Sequence, residues 1–320
     1  LVTAAAAPAL SILMVSWNTR EMTLAAIRSV YAETRRTPFE LILVDNGSKD
    51  GTAEAIRAEF PEVILLAEQA NHGFAKGNNI AARHARAPLL LLLNTDTLVR
   101  NGAIDTLADF AGRHPEARIW GGRTVFGDGR LNPTYAWGRI TAWSSFCLAL
   151  GLTNRFRHSA LFNPEQVGLW GDGAERAVDI VSGCFFLVER ALWEALDGFD
   201  TSFFMYGEEA DFCARPRPRA ARPRITPAAE IIHFGGGSAS RPTDTLVYLF
   251  GARIGLARRH LPGPSAGIAR AMVLFQAWWR AQLFGLAARL QPARRPSAEQ
   301  WREMWRRRAE WRDGPIRAAL

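Results

Sequence analysis

Five short polar segments carry side chains whose types and spacing could do chemistry. The first, Asp45-Asn46-Gly47-Ser48-Lys49-Asp50-Gly51, follows directly on the apolar run LILV. A carboxylate at a strand's carboxyl end can accept hydrogen bonds from the imide N–H of a pyrimidine base or from a ribose hydroxyl. The same residues also suit a plain turn, with Asp50 capping the next helix. The second, Asn71-His72-Gly73-Phe74-Ala75-Lys76-Gly77-Asn78-Asn79, joins glycines to amides and a lysine at a helix start. A diphosphate could sit there, although a glycine-rich corner with no ligand reads the same way.

The third segment is Asn94-Thr95-Asp96-Thr97 after the five-leucine run ending at Leu93. Asp96 at a rigid strand end could meet a hard divalent cation and the phosphates it bridges; helix capping is the competing use, and Asn101 could serve that as well. The fourth runs from Phe199 to Asp211, where aromatics lead into Glu208, Glu209 and Asp211. Aromatic desolvation and neighbouring negative charge raise a carboxylate's pKa and so tune a general base, whereas a solvated acidic helix start would need no such setting. The fifth is His233 in IIHFGGGS, which taken singly reads more readily as a packed or capped residue than as a ligand.

The elements that must hold these segments form a regular series. Residues 10 to 122 alternate short, wholly apolar runs (LSILMVS, LILV, VILLAE, PLLLLL) with amphipathic stretches, one of them a helix from about Phe74 to Arg86. Runs without polar alternation suit parallel strands covered by helices on both faces, so the expected class is α/β, with a Rossmann-like, mostly parallel sheet. Ligands bind beyond the carboxyl ends of such strands. From Gly121 to Gly173 the periodicity is lost, as in long excursions that line a site. It returns at VDIVSGCFFLVERALWEAL, and after Arg241 the chain reads as helices broken at LPGPS and QPARRPS.

Composition narrows the function classes. With 320 residues, 48% apolar and 22% charged, the chain is globular, which excludes disordered, collagenous and disulfide-scaffold proteins. Cys147, Cys184 and Cys213 match no zinc or redox spacing and are expected as free thiols in a reducing compartment. The opening apolar run is too short and too soon interrupted for a signal peptide, so a cytoplasmic location is expected. Of 39 basic residues all but Lys49 and Lys76 are arginine, a bias of the kind a GC-rich genome produces. No G-x-G-x-x-G follows the first strand, and the G-x-S-x-G match Gly263-Pro264-Ser265-Ala266-Gly267 falls at the LPGPS break between helical stretches rather than after a strand, which disfavours a nucleotide-dependent dehydrogenase and a serine hydrolase.

Taken in order, VSWN, VDNGSKDGT, NHGFAKGNN, LNTDT, SGCFFLVER, GFDTSFFMYGEEAD and HFGGGS resemble the family 2 glycosyltransferases of GT-A fold, in particular their rhamnosyltransferase-like branch, over roughly residues 9 to 240. The resemblance implies an inverting, metal-dependent transfer from a nucleotide-diphosphate sugar, best matched by dTDP-rhamnose and otherwise a UDP-sugar, to a lipid-linked or polysaccharide acceptor of a bacterial surface glycan. It implies that Asp45 meets the base, that Ser16, Trp17, Asn18, Asn46, Asn71, Gly73, Phe74, Lys76, Asn78, Gly183 and Cys184 line the nucleotide-sugar pocket, and that Asn94 and Asp96 fall on the DxD-type metal motif. His233 then matches a position that completes the shell of Mn²⁺ or Mg²⁺. The pair Glu208-Glu209 matches the family's Glu-Asp pair, so Glu209 is the expected base, with Glu208 and then Asp211 behind it. Two departures stand out. Glu209 is one methylene longer than the usual Asp, and Arg215-Pro216-Arg217-Pro218-Arg219 replaces a continuing helix, which should therefore end by Ala214. Both features also fit a degenerate nucleotide-sugar-binding or membrane scaffold protein.

Residues 241 to 320 form an expected basic, Trp- and Arg-rich helical extension. Residues 245 to 320 carry +10 of the chain's net +8, leaving the rest slightly acidic. In AMVLFQAWWRAQLFGLAARL a central arginine is costly for a bilayer span, so an interfacial helix is expected, with Trp278 and Trp279 at the boundary and Trp301, Trp305 and Trp311 continuing the pattern. Packing of these helices on the catalytic domain, or a homo-oligomer contact, is the competing expectation. Nucleic acid is not an expected partner.

Overall fold

The structure, a computed structural model, describes residues 7–170, 173–215, 221–235 and 242–316. Of the segments singled out above, Pro216 to Arg219 and Gly236 to Ser238 lie outside the described residues. Two compact units are present: residues 1–137, 171–200 and 209–238, and residues 138–170, 201–208 and 239–320.

The first unit begins with β1 (Leu10–Ser16), α1 (Arg20–Glu33), β2 (Phe39–Asp45), α2 (Thr52–Glu59), β3 (Ile64–Ala67), α3 (Gly73–Ala82), β4 (Leu89–Leu93), β5 (Thr97–Val99), α4 (Ala103–Arg113) and β6 (Ile119–Val125). The short strands β7 (Leu131–Asn132) and β8 (Ala136–Trp137) end this stretch. In the second unit lie α5 (Ala142–Ala149), α6 (Leu152–Arg155) and α7 (Val167–Trp170). The first unit resumes with β9 (Arg176–Ala177), β10 (Ile180–Val181), β11 (Phe185–Glu189) and α8 (Arg190–Ala195); α9 (Glu208–Ala214) and β12 (Arg224–His233) follow. The chain then forms α10 (Pro242–His260), α11 (Gly263–Leu290), α12 (Arg295–Arg306) and α13 (Arg308–Trp311).

The main sheet has the order β3-β2-β1-β4-β11-β6-β12-β5. Strands β1 to β4 pair in parallel, as does β6 with β12, whereas β11 runs antiparallel between β4 and β6, and β5 antiparallel to β12. This is the expected α/β class, and its physical basis is visible in β4, where four of the five leucines are buried because helices cover both faces. Chain order reverses across β1, with β2 on one side and β4 on the other, which opens a crevice at the carboxyl ends of those strands.

The opposite ends of β1 and β2 are locked by a buried polar group. Ser11 Oγ donates to Glu40 Oε1 at 2.7 Å, the Arg86 guanidinium donates to Oε2 at 2.8 Å, and the Ala87 N–H donates to Ser11 Oγ. Burial alone would raise the Glu40 pKa; the hydrogen bonds from Ser11 and Arg86 outweigh it and hold the carboxyl below its usual range. A depressed folded-state pKa gives stability that is present above the unfolded value and lost as pH falls through the folded one. Glu40→Gln should therefore cost about 1–3 kcal/mol in urea unfolding at neutral pH. The gap to wild type should narrow on acidification, and a gap that stays constant with pH would contradict the assignment.

The stretch from Gly121 to Gly173 is more regular than its sequence suggests. Helix α5 starts with a capping box, Thr141 Oγ1 accepting from Ser144 N–H and Ser144 Oγ from Thr141 N–H, a local signal that the missing periodicity hides. Helix α3 stops at Ala82, four residues before the expected end.

In the second unit, α10 to α13 close over Val247, Phe250, Ile254, Val273, Trp301, Met304 and Trp311. Arg307 ties α12 and α13 to α10 through Asp244 (2.6 Å) and Glu310 (2.9 Å). Half-buried Arg253 of α10 makes a bidentate pair with Glu165, at 2.7 and 2.8 Å, and anchors the 138–170 segment. Trp301 and Trp311 are core residues and Trp305 packs against them, so the expectation that these three extend an interfacial surface is corrected. Their indoles are needed to fill a small helical core.

Candidate active site

The site is built at the strand ends around the β1–β4 crossover. Ser16, the last residue of β1, is fully buried and joins a hydroxyl chain: Ser16 Oγ to Thr23 Oγ1 at 3.0 Å, Thr23 to Thr19 at 3.2 Å, and Thr19 to Thr95 at 3.4 Å. This chain links the loop after β1 to the loop after β4. Asn18 takes a left-handed φ of 51° and ties the first loop to the second. Its N–H donates to Ser48 Oγ and its Oδ1 accepts from Lys49 N–H, while Arg20 N–H donates to Asp50. Asn18 and Asp50 thus hold the two loops together, and Trp17, just before Asn18, is half-buried.

Asp45, at the end of β2, is 2% exposed and accepts from both the N–H and the hydroxyl of Ser48. Burial pushes its pKa up, the Ser48 bonds oppose this, and Asp50 and Glu54 push it further in the same direction. Asn46 is equally buried; its Nδ2 donates to the Gly73 carbonyl, and its Oδ1 has no hydrogen-bond partner among the described residues. Gly47 is required here: at φ +71°, a Cβ would lie 3.0 Å from the Ala70 nitrogen.

In the next loop Asn71 Oδ1 accepts from Gly73 N–H and sets the start of α3. Gly77 lets that helix lie on β1, since a Cβ there would come within 2.8 Å of the Val15 side chain. Asn78 is buried and donates to the Phe74 carbonyl. Lys76 is exposed and lies 3.2 Å from His72, which in turn contacts Glu68, so these three form a surface chain apart from the buried cluster.

Strands β4, β11, β5 and β12 bring the remaining candidates to one corner. The Asn94 N–H donates to the Cys184 carbonyl at 3.1 Å, joining the end of β4 to the start of β11. His233 ends β12 opposite Thr97 of β5, and its Nε2 lies 3.3 Å from Asp96 Oδ1. Burial would lower the His233 pKa; the neighbouring Cys184 sulfur and the Asp96 carboxylate outweigh this and push it up to about 11. Asn94 Oδ1 is buried and has no hydrogen-bond partner among the described residues. No group of three or more His, Cys, Asp and Glu able to hold a metal occurs among them. The chain therefore offers one carboxylate, one imidazole and one amide oxygen, a partial set of the hard and borderline donors that divalent cations take.

Glu209 follows Glu208 at the start of α9. Its Cβ lies 4.0 Å from where a Gly183 Cβ would stand, and the Phe74 ring lies at 3.2 Å from the same point, so Gly183 is the small residue that lets Phe74 and Glu209 approach the end of β11. Glu208 and Asp211 are buried, while Glu209 is partly exposed. Asp211 forms an ion pair with Arg215 (2.9 Å), whose guanidinium also donates to the Leu196 and Gly198 carbonyls and stacks on Phe212. Helix α9 ends at Ala214, as the approaching Pro216 requires. Phe199 and Phe212 pack with Phe74, Phe186 and Trp193 beneath it.

Several contributors were not marked out by sequence. Thr95 sits inside LNTDT and Ser48 inside VDNGSKDGT, while Thr19 and Thr23 lie one and five residues after VSWN, so proximity to those motifs was the available signal. Asn79 pins the backbone before α9 through both the N–H and the carbonyl of Phe199, at 2.9 and 2.8 Å, across 120 residues of sequence. No local pattern points to that contact.

The sequence model described as "Glycosyl transferase family 2" matches residues 11–169. The chain is 29% identical over 265 residues to the N-acetylglucosaminyl-diphospho-decaprenol L-rhamnosyltransferase of Mycobacterium tuberculosis, covering 77% of this chain and 78% of that protein. It is 25% identical to the rhamnosyltransferase WbbL of Escherichia coli, over 51% of this chain and 61% of that one. Among solved structures, a mannosyltransferase from Pyrobaculum calidifontis, in complex with GDP-Man and Mn²⁺, superposes with a TM-score of 0.58 at 16% identity, over 93% of this chain and 85% of that one, a likeness of fold. The GT-A architecture, the order of the motifs along it and the family match agree, and the chain carries a glycosyl transferase family 2 domain over residues 11–169.

Proposed function

We propose that the protein transfers a sugar, with inversion, from dTDP-rhamnose or a related dTDP- or UDP-sugar to a hydroxyl of a lipid-linked or polysaccharide acceptor in bacterial surface-glycan synthesis. The observation that carries this is the Asn94 N–H bond to the Cys184 carbonyl, which ties the Asp96–His233 corner to Gly183, against which Glu209 packs. Donor-phosphate chemistry and acceptor activation then share one strand edge. The relatives named as rhamnosyltransferases, one of them by a polyprenyl diphosphate-linked N-acetylglucosamine, support the donor and the acceptor class.

Asp45 and Asn46 receive the pyrimidine base, Asp45 accepting its imide N–H at the floor of the crevice. The loops around Trp17 and Gly73 frame the nucleotide. Glu209 takes the proton of the acceptor hydroxyl as its oxygen bonds to the anomeric carbon; the bond to the diphosphate breaks on the opposite face and the nucleoside diphosphate departs. Asp211 positions this region through Arg215 rather than taking a proton itself. Asp96 and the Asn94 amide oxygen, with His233 once its Nε2 proton is displaced, would hold a divalent cation, which when bound neutralises charge on the departing diphosphate.

The test is incubation of the full chain with Mg²⁺ or Mn²⁺, a panel of nucleotide sugars and a diphospho-lipid N-acetylglucosamine acceptor. The expected result is release of nucleoside diphosphate equal to glycoside formed, with the anomeric configuration inverted. Donor binding with no release in the presence of acceptor would instead favour a nucleotide-sugar-binding scaffold.

A further inference from the structure

Twelve of the fourteen exposed large apolar side chains among the described residues belong to the second unit, and five of them lie on α11: Ile268, Trp279, Leu283, Leu286 and Leu290 in register, with Trp278 beside them as a sixth. Together with half-buried Met272 and Phe275, the five in-register residues fall within an arc of about 80° at 100° per residue, a solvent-facing stripe about 33 Å long. Leu286 is 59% and Leu290 81% exposed. Two of the polar residues that interrupt this helix in sequence turn inward, whereas Gln282 is exposed at the edge of the stripe. Gln276 is buried, and Arg280 stacks over the Trp301 ring at 4.8 Å. Helix α11 is thus apolar on both faces, one filling the core of its unit and one uncovered.

No helix among the described residues is long and apolar enough to cross a membrane. A stripe of this kind, with tryptophans along it, suits a helix lying in the headgroup region instead. Charge selects the surface. Exposed Arg289 flanks the stripe, Arg302 reaches across Gly285 on the same side, and exposed Arg294 and Arg295 follow the end of α11. Residues 245 to 320 carry a net charge of +10. Arginines beside an apolar stripe match anionic headgroups above an acyl layer.

We propose that the α11 stripe docks this protein on the surface of an anionic phospholipid bilayer, without spanning it. The stripe is a property of the second unit and stands whether or not the sugar-transfer reading holds. The test is co-sedimentation of the full chain with phosphatidylglycerol-containing vesicles and with pure phosphatidylcholine vesicles, at low and high salt. Binding is expected to the anionic vesicles, to weaken with salt, and to shift tryptophan emission to the blue. Leu286→Glu should weaken binding by about 10- to 100-fold or more, the equivalent of one leucine side chain no longer buried. Leu290→Ser, at the most exposed position, is the milder companion, and matching melting curves would show that both variants fold. Wild-type affinity in both folded variants would overturn the proposal. So would a light-scattering dimer that Leu286→Glu dissolves while no vesicle binds, because the stripe would then be covered by a second copy.

Discussion

Glu209→Gln is expected to lower kcat by about 10²- to 10⁴-fold, the usual worth of a positioned general base, with donor binding and melting temperature near wild type. Glutamine keeps the shape and the hydrogen-bonding reach of the side chain beside Gly183 and removes only its capacity to take a proton. Glu209→Asp shortens that reach by one methylene and should restore part of the rate, since the carboxylate is present but displaced. Asp211→Asn should behave differently. It weakens the ion pair to Arg215 and so the clamp on the Leu196 and Gly198 carbonyls, which lowers stability. Steady-state kinetics beside thermal melts separates the two. A Glu209→Gln enzyme of normal turnover, with Asp211→Asn folded and inactive, would move the base to Asp211.

Asp96→Asn should also cost about 10²-fold or more in kcat/KM, because even groups that only orient metal ligands are worth about 10- to 100-fold and Asp96 offers the carboxylate itself. The fold should survive. Asp96 is a loop residue between β4 and β5 whose backbone carbonyl still accepts from Phe234 N–H, and the change removes a charge without removing volume. His233, freed of the carboxylate, would lose one of the two partners that hold its pKa up. Unfolding of the Asp96→Asn protein, or full activity in it, would show that the residue serves the structure alone.

Much of this arrangement was legible in the chain because both its determinants are local. The runs LILV and LLLLL state that β2 and β4 are buried on both faces, and the polar residues that follow them must lie at the carboxyl ends, where parallel sheets bind ligands. The placement of Asp45, Asn94 and Asp96 at strand ends was readable for that reason. Contacts between distant segments were not. Nothing near Asn79 announces Phe199, and nothing near Glu165 announces Arg253, because each pair is specified by packing rather than by sequence neighbours. The facing of α11 was hidden in the same way. Gln276 and Arg280 look like its polar side, yet burial and the Trp301 ring take them inward, which leaves the exposed side more apolar than the composition implies. Trp301 and Trp311 misled in the opposite sense, since an indole suits a small core as well as a headgroup layer.

The central claim is that Asp96 couples a divalent cation to the donor's diphosphate, and calorimetric titration of dTDP and UDP into the protein tests it most directly. With Mn²⁺ present the wild-type chain should bind at least one of the two nucleotides markedly tighter than in chelator, and Asp96→Asn should bind it with the same weak affinity in both. Equal affinity with and without metal in the wild type, or a metal effect that Asp96→Asn retains in full, would contradict the account.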